Sequence, residues 1–159
     1  MTSFMEQAIE DPIAWTFWGW AGAGLALTLA NLGSAYGTAK SGMGIASMAV
    51  TRPHLAFKSI VPVIMAGILS IYGLIISVLI SQSVKLEEEK AGPGPASKAL
   101  CAGLCCGLSQ LAAGYAIGLV GENGVRNFAM NEQIFVALIL ILIFAEVLGL
   151  YGMIVAIIL

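Results

Sequence analysis

Charge is scarce in this chain. Asp, Glu, Lys and Arg together make up 10% of the 159 residues, against about 25% in ordinary soluble domains. Seven Lys and Arg against nine Asp and Glu give a net charge of −2, with no basic run, so no nucleic-acid partner is expected. Histidine occurs once, at His54, and no Ser-His or acid-acid pair falls within an apolar segment, which argues against an enzyme acting within the membrane. The three cysteines, Cys101, Cys105 and Cys106, lie together in one apolar stretch without metal-ligand companions and read as small packing residues. No metal and no cofactor is expected. The glycine-rich runs follow no strand pattern and lack a Gly-Lys-Ser/Thr ending, so they are not phosphate-binding loops. A basic n-region is also missing, since 1–11 is acidic, and the first apolar run is expected to stay on the chain as a membrane span.

What remains is apolar. Hydrophobic residues make up 59% of the chain and the mean hydropathy is +0.95, the composition of an integral membrane protein. Four spans are expected. The first, about 13–38, opens on Trp15, Phe17, Trp18 and Trp20, an aromatic cluster suited to the membrane interface. It continues with small residues, including Gly33/Gly37 and Ala35/Ala39, whose four-residue steps let helix backbones approach closely. The helix is expected to continue past the membrane through 41–47. The second span, about 59–81, has Pro62 near its start, where a missing backbone donor costs least. The stretch 82–97 mixes charge with Gly and Pro and reads as a linker, its Glu87-Glu88-Glu89 run as a solvated loop. The third span, about 99–120, repeats the small-residue spacing at Gly103/Gly107 and Gly114/Gly118, and 121–131 reads as a polar loop before the fourth span, 133–159.

That last span carries one acid, Glu146. A helix rises about 1.5 Å per residue, so some 27 residues extend about 40 Å, more than a hydrocarbon core of about 30 Å. Glu146 then falls near the midplane. An ionised carboxylate there costs about 2.5 to 3.5 kcal/mol on insertion scales, so hydrocarbon favours the neutral acid until water or a cation meets it. A reversible proton site has this property. A structural acid bonded to a neighbouring helix is the alternative.

The two halves are duplicates. An offset of 79 residues superposes Ala66, Leu69, Tyr72, Gly73 and Ile75 on Ala145, Leu148, Tyr151, Gly152 and Ile154, and Gly24, Leu25, Leu29, Leu32, Tyr36 and Gly42 on Gly103, Leu104, Leu108, Leu111, Tyr115 and Gly121. The chain thus divides into a segment 1–12, a helical hairpin 13–81, a linker 82–97 and a second hairpin 98–159. At this offset Glu146 falls on Gly67, so one acid is left per chain. A two-span unit starts and ends on the same side, which makes its repeat parallel, and head-to-tail repetition of such units closes a ring. The glycine-rich first and third spans are expected inside, the bulkier second and fourth outside, with Glu146 on the outer wall. Lys40, Arg52, Lys58 and Arg126 place the first and third connections in the cytosol, with both termini and the linker on the lumenal side.

Three stretches resemble the proteolipids that form the membrane ring of eukaryotic V-type ATPases: 35–42 with Gly44-Ile45, 60–67 with Ile71-Tyr72-Gly73-Leu74, and 140–152 around Phe144-Ala145-Glu146-Val147. The resemblance implies an all-α membrane protein whose copies, with related proteolipids, form a rotor ring turned by ATP hydrolysis in a separate soluble sector. The chain itself would hydrolyse nothing. It implies that Glu146 takes a proton from the cytosolic side, carries it through lipid, and releases it to the lumen of a vacuolar, endosomal or other acidic organelle after meeting a stator arginine. Tyr72, at similar depth on the neighbouring outer helix, is the candidate hydrogen-bond partner of the neutral acid. Sodium-transporting relatives carry Thr and Gln at positions matching Ile68 and Leu69 and a Gln near Ile117. All three are apolar here, which favours protons, with Ser70 and Gln110 left open as oxygen ligands. The cytosolic stretches 41–52 and 121–131 are candidate docking points for proteins of the central stalk. A structural or pore-forming bundle without ATP coupling, or a close paralogue within the same ring, is the alternative reading.

Overall fold

Glycine and alanine at three- and four-residue spacing let helices approach until backbone meets backbone, and this decides how the chain packs. A computed structural model describes residues 12–86 and 93–159. The acidic residues of 1–11 and the run Glu87-Glu88-Glu89 lie outside them. The described residues form four long helices: α1 (Pro12–Thr51), α2 (Val61–Leu86), α3 (Pro93–Met130) and α4 (Phe135–Ile158). Short 3-10 turns at Pro53–Leu55 and Lys58–Ile60 join α1 to α2, and one at Glu132–Ile134 joins α3 to α4. The segments 58–85, 94–130 and 132–158 are long and apolar enough to cross a membrane. Helix α1 is longer, at 40 residues, but diluted by Thr28, Asn31, Ser34 and Thr38. The protein is an all-α, four-helix membrane bundle.

α1 and α3 run parallel and in direct contact. A Cβ at Gly114 would collide with the backbone of Gly33, and one at Gly103 with the backbone of Gly22. Further along, a Cβ at Gly44 would lie 2.8 Å from the Glu122 carbonyl oxygen. Only glycine permits these approaches. α2 returns antiparallel on α1, with Gly73 against Ala26 and Ala30, and α4 returns on α3, with Gly152 against Ser109. Bulky side chains are exposed on α2 and α4 at Ile64, Ile71, Phe144, Leu148 and Tyr151, and on α1 and α3 at Leu32, Leu108 and Tyr115.

Two boundaries differ from the sequence reading. Helix covers both ends of the 82–97 stretch: α2 continues to Leu86 and α3 begins at Pro93. Val84 packs on Gly19, extending the α1–α2 contact past the second span. Pro93 and Pro95 fall in the first turn of α3, where a missing N–H costs nothing. The second difference is at 121–130, which is helix rather than polar loop. Val125 and Phe128 are buried there with Met48 and Leu55, and the ring of Phe128 lies 5.1 Å from that of Phe135. Glu122 ties the same region, pairing with Lys40 at 3.3 Å and accepting from Arg126 at 2.9 Å. The bundle therefore has a small apolar cap at the end where α1 turns into α2, bounded by ion pairs.

Gly114→Leu is expected to separate α1 from α3. Overpacking costs about 1–3 kcal/mol where neighbours can yield, and the Gly33 backbone cannot, so thermal unfolding in detergent should show a large loss of stability. Gly24, with nothing within 4 Å of its Cβ position, is the control: Gly24→Ala should unfold near the parent temperature.

Candidate functional site

α4 presents two faces. Leu138, Leu142, Ala145, Gly149 and Gly152 are buried against the bundle, while Leu140, Ile141, Phe144 and Leu148 point outward. Glu146 lies on the border between them and is half-buried. The side of the bundle that it faces is apolar: Ala66 and Leu69 of α2, Ala113 and Ile117 of α3, and Leu138, Leu142 and Ala145 of α4 form one buried cluster, with Tyr72 packed against it.

Tyr72 brings the one polar side chain that reaches the acid among the described residues. Its hydroxyl donates to Glu146 Oε1 at 3.3 Å, long for an O–H···O bond, whose usual range is about 2.5–3.0 Å. The acid is thus held loosely, at the outer edge of the α2–α4 contact.

Gln110, which the sequence left open as an oxygen ligand, lies deeper. It is fully buried, and its Nε2 donates to the Gly149 carbonyl oxygen at 3.0 Å, one turn beyond Glu146. Its Oε1 has no hydrogen-bond partner among the described residues. A Cβ at position 149 would lie 2.7 Å from that oxygen and 2.9 Å from Leu69 Cδ2, so glycine at 149 makes room for the amide. The Ser70 hydroxyl donates to the Gly67 carbonyl oxygen at 2.7 Å. Of the other positions weighed for a cation, Leu69 and Ile117 are completely buried and offer no oxygen. The amide clamp on Gly149 is the feature of the site that sequence reasoning did not place. Its only trace is a single glutamine amid small and apolar residues.

The duplicate position is open. No atom lies within 4 Å of the Cβ position of Gly67. His54 stands apart from the acid, in the 3-10 turn after α1. Cys101 is exposed, Cys105 half-buried and Cys106 buried, all as free thiols, and the Cys106 Sγ lies 4.0 Å from the Tyr72 carbonyl oxygen.

Comparison with known proteins accords with this architecture. The sequence model of the ATP synthase C-subunit family matches twice, over residues 21–80 and 100–159, two copies related by the offset of the internal repeat. The chain is 53% identical over 155 residues to the V-type proton ATPase 16 kDa proteolipid of Ovis aries, covering 98% of each chain. It is 56% identical over 150 residues to the 16 kDa proteolipid of the V-type proton ATPase from Mus musculus, covering 94% of this chain and 95% of the other. With a 16 kDa V-type proton ATPase proteolipid of Caenorhabditis elegans it shares 54% identity over 143 residues, 90% of this chain and 89% of that one. With two tandem copies of the matched unit and relatives of this similarity over nearly its whole length, the chain belongs to the 16 kDa proteolipid family of V-type proton ATPases.

Proposed function

We propose that this chain is the proton-carrying rotor-ring component of the membrane sector of a V-type ATPase, with Glu146 as the proton site. The observation that carries the reading is the position of the acid. It stands within a membrane-spanning helix, half-buried on the border of the outer face, and its one described side-chain partner is a tyrosine hydroxyl at 3.3 Å. A carboxyl so placed is stable in hydrocarbon when neutral and ionises where water or a positive charge is supplied. A stator arginine would supply that charge. The donor from Tyr72 orients the carboxyl without fixing it, which suits an acid that must take up and release one proton per turn.

The scaffold reading is less well supported. The bond that a structural acid would supply here joins α2 to α4 through Tyr72, and at this depth α2 and α4 are already packed together in the apolar cluster that holds Ala66 and Leu69 with Leu142 and Ala145, so the carboxyl is not the sole tie between them. Apolar side chains at 69 and 117 support protons over sodium as the carried ion. The partners in this reading are further copies and related proteolipids in the ring, the stator, and central-stalk proteins at the cytosolic end, where Phe57 and Met130 are 85% and 83% exposed. Both termini would be lumenal, in the membrane of an acidic organelle. The chain has no hydrolytic role; ATP is consumed in the soluble sector.

Three measurements test this. In membrane vesicles whose rings carry Glu146→Gln, ATP-driven acidification should fall to background while ring assembly persists; assembled rings that still acidify would make the acid structural. Tyr72→Phe should slow acidification a few-fold without abolishing it, because one neutral hydrogen bond contributes about 1 kcal/mol. Replacing potassium by sodium in the assay should leave the rate unchanged, and a sodium-dependent rate would point to Gln110 and Ser70 as ligands.

A further inference from the structure

Away from the proton site, at the end of the bundle where α2 finishes and α3 begins, a groove of about 660 Å³ runs between α2 and α4. Ile76 and Ile80 of α2, Ala102 of α3, and Ala156 and Ile157 of α4 line it, and Lys98 of α3 belongs to the same wall.

The level of Lys98 in the membrane follows from its neighbours. Val84 packs on Gly19 and Ala99 on Gly22, which puts Lys98 beside the turn of α1 that carries Trp18 and Trp20. Both tryptophans are exposed, and Lys85 Nζ lies 5.9 Å from the Trp20 ring centre. Exposed tryptophans and lysines at one level mark the boundary between hydrocarbon and headgroups. Lys98 is exposed at that boundary, and the groove leads inward from a polar mouth at Ser83 and Lys98 to an apolar floor at Ile80 and Ile76: from Ser83 to Ile76, two turns of α2, it descends about 10 Å. The ion pairs among the described residues, Lys40–Glu122, Arg52–Glu132 and Arg126–Glu122, all lie at the opposite end. Among the described residues, no acid is paired with Lys98.

We propose that this groove binds an anionic phospholipid, its acyl chain between α2 and α4 and its phosphate on Lys98. An ammonium at headgroup depth above an alkyl-lined groove matches the two ends of such a molecule, and long basic side chains reach toward that interface. A peptide reaching the floor would leave backbone donors unpaired against Ile76, Ile80 and Ala102. The assignment is independent of whether Glu146 carries protons.

The test uses the assembled ring in phosphatidylcholine vesicles containing a minor fraction of phosphatidylserine, repurified in mild detergent, with retained lipids counted by mass spectrometry. Phosphatidylserine should be enriched over its share of the vesicle lipid. Lys98→Gln should cut that enrichment about fivefold, the effect of one lysine near a charged surface, without changing ring assembly or phosphatidylcholine retention. Lys58→Gln, at the other end of α2, should leave it intact. Ala102→Leu, which fills the groove floor, should lower retention of both lipids. Absence of enrichment in the parent ring, or equal enrichment with Lys98→Gln, overturns the proposal, and the Lys98 result decides even if Ala102→Leu does not assemble.

Discussion

The structure depends on one contact: the backbones of α1 and α3 touching through Gly22, Gly33, Gly103 and Gly114. In a membrane there is no hydrophobic drive to bring helices together, because lipid tails are as apolar as leucine, so packing at short range must do it. Once α1 and α3 meet through their small residues, α2 and α4 flank that pair and leave Ile64, Ile71, Phe144 and Leu148 exposed. The border position of Glu146 follows from this arrangement. α4 buries its small face against α3, Phe144 and Leu148 point away, and the acid falls between.

Much of this was legible because the signals are periodic. The internal repeat, the glycine steps and the single acid all survive as patterns along the chain, and each implies a geometry by itself. What was not legible depends on partners distant in sequence. Residues 121–130 look polar on their own, yet they stay helical because Val125 and Phe128 find Met48 and Leu55, far back in the chain at the end of α1 and just beyond it. The charges that suggested a loop are paired instead, Glu122 between Lys40 and Arg126. Val84 likewise extends α2 by packing on Gly19 across the hairpin.

Gln110 shows the same limit at the site itself. A buried amide with one unpartnered oxygen is costly in an apolar core, and nothing in the residues around position 110 announces that its nitrogen will bond the Gly149 carbonyl. The bond requires a glycine at 149, so two residues 39 apart in sequence act as one joint. The two hairpins differ here: the second carries the acid, the glutamine and the accommodating glycine together, whereas the first has Gly67 and Ser70 where the second has Glu146 and Gly149.

The empty space at Gly67 bears on energy conversion. Nothing from the chain's other helices lies within 4 Å of a Cβ there, so packing inside one chain does not dictate the absence of a second acid. On the proposed reading of Glu146 as the proton site, one acid for every four helices means that a ring of given circumference would move half as many charges per revolution as one with an acid in every hairpin. The same torque would then be concentrated on fewer ions, and the machine would stall only against a proportionally steeper gradient, a low gear suited to building a large pH difference rather than to moving many protons quickly.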